Sequence, residues 1–197
     1  MANTFAPFGF RQYSGNGGAP TYAQVAVKIK SDYTTPIFNG DAVLQDANGY
    51  ITQAGDAPTT QLAGVFAGCK YLSVSQKRTV WSNYWPGSDN NGDVEAYIIN
   101  DPNALFIAQA SSSLNVTQAA VGASISLAGG AASPGGNTAT GQSGMYLNTI
   151  GTSSTAPFRV VSLVTDPPGA NGTDIASNAD YVVVAFLNVS TKTLVTI

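Results

Sequence analysis

Apolar and polar residues alternate with a period of two along Thr21 to Lys30, where Tyr22, Ala23, Val25, Val27 and Ile29 are set against Gln24, Lys28 and Lys30. That spacing predicts a half-buried β-strand. The stretch from Pro36 to Tyr71 organises the rest of the chain. It reads as a strand Ala42–Gln45, a turn Asp46-Ala47-Asn48-Gly49, a strand Tyr50–Ala54, a polar connection Gly55–Thr60 and a strand Leu62–Tyr71. Asn48-Gly49 between two β-forming runs is a strong hairpin signal, because both residues tolerate the positive φ of a tight turn. Gly64 and Gly68 inside the third of these strands predict a bulge, a bend or a close backbone approach.

Further along, Ser73–Trp81 is a strand candidate, and Ser82–Gly92 is a loop with its turn at Asp89-Asn90-Asn91-Gly92. Val94–Asn100 and Ala104–Ala110 are expected to pair as a hairpin across Asn100-Asp101-Pro102-Asn103, with Pro102 presetting the turn's φ. Thr117–Val121 fits one helical turn closed by Gly122. Met145–Leu147 and Phe158–Val164 read as strands, and Asp166-Pro167-Pro168-Gly169 starts a loop. Tyr181–Val189 is a nearly continuous apolar run, as expected of a central strand buried on both faces. The fold class this predicts is all-β: a mainly antiparallel barrel or sandwich, jelly-roll arrangements included.

Two segments depart from this pattern. Residues 1–20 place Phe5, Phe8, Phe10 and Tyr13 among Pro7, Gly9, Gly15, Gly17 and Gly18, a mixture that favours an extended arm over a helix. Its rings either fold back onto the domain or anchor a neighbouring subunit. The stretch 128–144 is rich in Gly, Ser, Ala and Thr and is expected to be a long surface loop. The expected organisation is thus an N-terminal arm, 1–20, followed by one β-domain, 21–197.

Composition narrows the class of function. Charged residues make up 10% of the 197, well below the roughly 25% of a typical soluble domain. The surface is then either covered by uncharged polar groups or partly covered by other subunits. The net charge is −3 and the eight basic residues are scattered, with Lys70 and Gln76-Lys77-Arg78 the one local cluster. No nucleic-acid partner is expected, since the counterion-release term needs a basic stripe. No run approaches a membrane-spanning length, and the first residues lack the pattern of a secretory signal.

Histidine is absent, which removes the usual neutral-pH general base and the His-containing triads. Cys69 is the sole cysteine and lies among apolar residues, so it reads as a core residue, and no cofactor or metal site is expected. Glu95 is the one glutamate, and Asp41, Asp46, Asp89, Asp101 and Asp166 have turn-forming explanations. A calcium loop at Asp89–Glu95 fails the helix–loop–helix spacing, because glycine falls at the fourth position. The expectation is a protein that is not an enzyme. A hydrolase using Asp89 and Asp93 is the catalytic reading to beat.

The order of Ile37-Phe38-Asn39-Gly40-Asp41-Ala42-Val43, Gly49-Tyr50-Ile51 and Leu62-Ala63-Gly64-Val65-Phe66-Ala67-Gly68 resembles a family of tailed-phage virion proteins, the capsid decoration or cement proteins. The likeness continues through Asn100-Asp101-Pro102, Phe106-Ile107-Ala108-Gln109, Thr140-Gly141-Gln142-Ser143-Gly144-Met145 and Phe158–Val164. It implies binding to the outside of a capsid lattice, with the major capsid protein and further copies of the chain as partners, as a homotrimer more than a homodimer. It also implies residence in the virion after synthesis in the host cytoplasm. Phe5, Phe8, Phe10, Arg11 and Tyr13 are then the candidate capsid or subunit contacts. The rival reading is a virion receptor- or glycan-binding module, a head-fibre or tail-fibre base, with Trp81, Tyr84 and Trp85 as a stacking platform.

Overall fold

A computed structural model describes residues 3–15, 23–56, 61–130, 135–151, 153–164 and 177–193. The end of the predicted arm, the start of the first predicted strand, the end of the Gly55–Thr60 connection and the loop opened by Asp166 lie outside these residues. The described strands are β1 (Arg11–Ser14), β2 (Val25–Ile29), β3 (Ala42–Gln45), β4 (Ile51–Gln53), β5 (Leu62–Leu72), β6 (Thr79–Ser82) and β7 (Val94–Ile99). They continue with β8 (Leu105–Gln109), β9 (Ser124–Ala128), β10 (Gly136–Asn137), β11 (Gln142–Ser143), β12 (Tyr146–Ile150), β13 (Phe158–Leu163) and β14 (Tyr181–Phe186). The only helical pieces among the described residues are single turns at Gln118–Ala120 and Ser190–Thr193.

The chain is all-β, with antiparallel sheets packed as a sandwich and no closed barrel among the described residues. The first sheet runs β1-β8-β14-β13-β9-β12; the second runs β2-β7-β5-β3-β4, with β6 added to the far half of β5. The apolar run 181–189 does form a central strand: β14 lies between β8 and β13, and Val182, Val183 and Val184 are all buried.

Two cores arise from the alternation of side chains. The first lies between the sheets and is built on Phe10, Phe106, Phe158 and Phe186, with Ala42, Leu62, Val65 and Ile99 supplied by the second sheet. Phe10 stacks on Phe158 with ring centroids 4.4 Å apart, and Phe158 stacks on Phe186 at 5.5 Å. The second core lies on the other face of the second sheet, where Val43, Ile51, Phe66, Cys69, Ala96 and Ile98 close over Trp85 and Ile37. Strands β3 and β5 therefore separate two apolar regions, with successive side chains pointing to opposite cores.

The bulges expected near Gly64 and Gly68 are present. The β3–β5 register slips opposite Gly64–Leu62, and the β5–β7 register slips between Phe66 and Gly68. A Cβ on Gly64 would lie 2.6 Å from the Ile99 carbonyl oxygen, so only glycine permits that approach.

The expected hairpin between 94 and 110 is not formed. The turn exists: Ala104 N–H donates to the Asp101 carbonyl (3.0 Å) and Asn103 N–H donates to Asp101 Oδ1 (2.9 Å). It joins sheets, however, because β7 pairs with β2 and β5 while β8 pairs with β1 and β14. Turn chemistry specifies a chain reversal; which neighbour each strand then pairs with is decided by burial, and Ile98 and Phe106 belong to different cores. The Ser73–Trp81 strand is likewise shorter than expected. Ser73 N–H donates to the Arg78 carbonyl (2.9 Å), closing a turn, and only Thr79–Ser82 pairs back on β5.

Neither departing segment stands free where it is described. Residues 3–10 are extended but stitched to their own domain: Ala6 N–H donates to Gln109 Oε1 (2.9 Å), Gln109 Nε2 to the Thr4 carbonyl (2.8 Å) and Gly9 N–H to the Met145 carbonyl (3.1 Å). The Gly-rich stretch contains the two-stranded pair β10–β11, and Gly136 lies so close to the Phe38 ring that a Cβ would overlap it. Glycine there allows backbone to lie flat on an aromatic ring, which is how a side-chain-poor segment gains packing.

Candidate functional site

The alternation in β7 determines the most open feature of the surface. Val94, Ala96 and Ile98 point into the second core, so Glu95, Tyr97 and Ile99 share the opposite face. Ile99 is still covered by the first sheet, but Tyr97 and Glu95 lie beyond its cover. Across the ladder, Tyr97 faces Gly68, Glu95 faces Lys70, and Lys70 faces Trp81.

Trp81 and Tyr97 lean together over the side-chain-free Gly68, with rings 6° from parallel and centroids 5.8 Å apart. Lys70 Nζ lies 5.1 Å from the Trp81 ring centre and 3.0 Å from Glu95 Oε2, and Tyr97 Oη donates to Glu95 Oε1 at 2.5 Å. The Tyr97 hydroxyl and then the Lys70 ammonium hold the Glu95 carboxyl below its ordinary range, and Glu95 in turn raises Lys70 and Tyr97. Trp81 is 68% exposed, the most open large apolar side chain described.

This aromatic pair walls a hollow of about 330 Å³ that also touches Gln24, Gly68 and Ser82. Gln24 and Ala67 are shared with a second hollow of about 460 Å³, in the mouth between β1 and the second sheet. Its polar lining is Arg11, Gln12, Gln24, Asn39, Asn83, Thr140 and Gln142. Asn39 Nδ2 donates to the Ala67 carbonyl (2.8 Å) and Asn83 Nδ2 to the Thr140 carbonyl (2.7 Å), so both side chains are fixed in place.

The candidate contact residues separate by burial. Phe10 is 2% exposed and stacked inside the first core, so it is unavailable to another subunit; this corrects its assignment as a contact. The hydrogen bond from Phe10 N–H to the Gly40 carbonyl (2.9 Å) pins the backbone where the ring turns inward. Phe8 is half-buried, packed on Tyr181 and beneath the Arg11 guanidinium, 5.0 Å from its ring centre. Phe5, edge-on to Tyr146, and Tyr13 remain open at 37% and 53%.

The platform of Trp81, Tyr84 and Trp85 is not assembled. Trp85 is fully buried, with its indole N–H donating to the Tyr33 carbonyl (3.1 Å), and Tyr84 stacks on Phe38 at 5.4 Å. Trp81 alone of the three reaches solvent broadly, and its ring partner is Tyr97. The alternation Val94-Glu95-Ala96-Tyr97-Ile98 carries the signal that would have found Tyr97.

The acids are occupied structurally. Asp89 accepts from Ser73 Oγ (2.5 Å) and from Ser75 N–H (2.8 Å) and Oγ (3.0 Å), bonds that hold its carboxyl below the usual range. Asp93 accepts from Ser31 N–H (3.1 Å) and Tyr50 Oη (3.0 Å). Among the described residues, no group of three or more His, Cys, Asp or Glu is placed to hold a metal ion, and no helix is long and apolar enough to cross a membrane. Burial pushes the Cys69 thiol up to about 12, which leaves it protonated and unreactive. Burial also raises Asp41 to about 6, opposed by hydrogen bonds from Phe38 N–H, Ser143 and Gln53. No protein-family model, curated protein or solved structure matches the chain.

Proposed function

We propose that this protein is a structural component of a tailed-phage virion, seated on the outer surface of the capsid and bridging adjacent major capsid subunits. The observation that carries the reading is the pairing of a 10% charged composition with large apolar side chains left in solvent: Phe5, Tyr13, Val25, Leu72, Val74 and Trp81. A surface this poor in charge and this rich in open aromatic and aliphatic groups suits coverage by neighbouring subunits, with aromatics as anchors. Many identical weak contacts on a lattice then add through effective concentration. A homotrimer, made in the host cytoplasm and carried on the capsid exterior, fits this role. No catalytic step is part of it.

The test is co-sedimentation of the purified chain with capsids that lack it. The wild-type chain is expected to pellet with the capsids, and a Phe5→Ala/Tyr13→Ala double variant to bind more weakly while keeping its fold. Failure of the wild-type chain to pellet would overturn the proposal. Deleting the whole N-terminal segment is a poorer test, because it removes Phe10 from the core.

A further inference from the structure

The two hollows share Gln24 and Ala67, and we propose that together they form one groove that binds a neutral oligosaccharide. Their volumes of about 330 and 460 Å³ fall in the range of small-molecule sites. At one end the open Trp81 ring, braced by Tyr97, offers a flat face of the kind that stacks against the C–H face of a pyranose. Gly68 beneath the pair contributes no side chain, and the sheet group that approaches the Trp81 ring is the Lys70 ammonium, 5.1 Å from its centre.

The other end carries five amides, Gln12, Gln24, Asn39, Asn83 and Gln142, beside an apolar lining that includes Phe10, Val65, Phe66 and Ile99. An amide carries both donors and an acceptor, the combination that vicinal hydroxyls satisfy. Asn39 and Asn83 are already held by backbone carbonyls, so less ordering is lost when a ligand arrives.

Charge selects against other occupants. Among the described residues, Arg11 is the one charged side chain lining the two hollows, and the flanking Lys70 is neutralised by Glu95. An anionic polymer needs a row of unpaired cations, and an apolar peptide side chain would cover the amides without giving them hydrogen-bond partners. A neutral polyhydroxylated chain matches both ends. This goes beyond capsid binding and does not depend on it.

The test is calorimetry on the full chain with maltohexaose, laminarihexaose, cellohexaose and chitohexaose, with a heparin hexasaccharide as the anionic comparison. At least one neutral hexasaccharide is expected to bind with a Kd of about 1 mM or tighter, and Trp81→Ala to weaken it roughly tenfold or more. Gln24→Ala, at the junction of the hollows, is expected to weaken it too, while Trp81→Phe retains most of the affinity. Far-ultraviolet circular dichroism should be unchanged in all three variants. No binding by any neutral probe at about 10 mM overturns the proposal. So does affinity unaffected by Trp81→Ala, or preference for the heparin fragment over every neutral probe.

Discussion

Trp85 and Trp81 lie four residues apart and occupy opposite environments. Trp85 is enclosed in the second core, edge-on to Tyr71 with ring centroids 5.4 Å apart, and its one polar atom is satisfied by a backbone carbonyl. Trp81 lies on the reverse face of the same sheet, open to solvent and supported on one side by Tyr97. The enclosed region is where burial holds the fold together. The open face contributes little to stability, so its large aromatic side chain is free to meet something else. Trp81 is held by the β5–β6 register, opposite Lys70, whereas Trp85 lies beyond β6 in a loop bridged to Ile37, which turns it into the second core.

The largest effect that would sharpen this contrast is Trp85→Ala. It leaves a cavity in the second core and strands the Tyr33 carbonyl, so unfolding free energy should fall by about 3–5 kcal/mol in a denaturant titration. A loss below about 1 kcal/mol would mean that the core around Trp85 is not as closed as described.

Next is the buried acid of the enclosed region. Asp41 has a folded-state value of about 6 against an ordinary 3.8, so the fold favours its protonated form. The stabilisation from protonation is complete below 3.8 and is lost as pH rises through about 6. The group should therefore lower stability by about 2 kcal/mol between pH 4 and pH 7. Asp89 and Glu95, held low, act in the opposite sense, losing stability as pH falls. Subtracting the profile of Asp41→Asn from that of the wild-type chain isolates the contribution of Asp41. A difference that stays flat from pH 4 to 7 would refute the burial assigned to this residue.

The smallest stability effect belongs to the open face. Trp81→Ala removes a ring stack and a cation–π contact at an exposed site, and should cost at most about 1 kcal/mol. A cost comparable to that of Trp85→Ala would erase the distinction between the two regions.

Much of the fold was legible because its signals are local. Ala42–Gln45 is the strand its residues predict, and the Asn48-Gly49 turn closes with Gly49 N–H on the Asp46 carbonyl (3.1 Å). The valine run becomes the central strand, and Gln118–Ala120 forms the helical turn before Gly122. What was not legible depends on long-range partners. Asp101-Pro102 predicts a reversal, but only the sheets' pairing turns it into a corner. Phe10 and Phe5 occur in the same Gly/Pro-rich context, and only the stack on Phe158 removes one of them from the surface. Trp81 was identifiable as an aromatic candidate, yet its partner Tyr97 depends on a register across β5, fixed by a bulge whose exact place the glycines only suggest.

The most direct measurement of the proposed role is the temperature at which DNA-filled capsids rupture, compared with and without the added chain. Seating across neighbouring capsid subunits predicts a higher rupture temperature on addition, reached at a fixed number of copies per capsid. An unchanged rupture temperature at saturating protein would contradict the role proposed for this molecule.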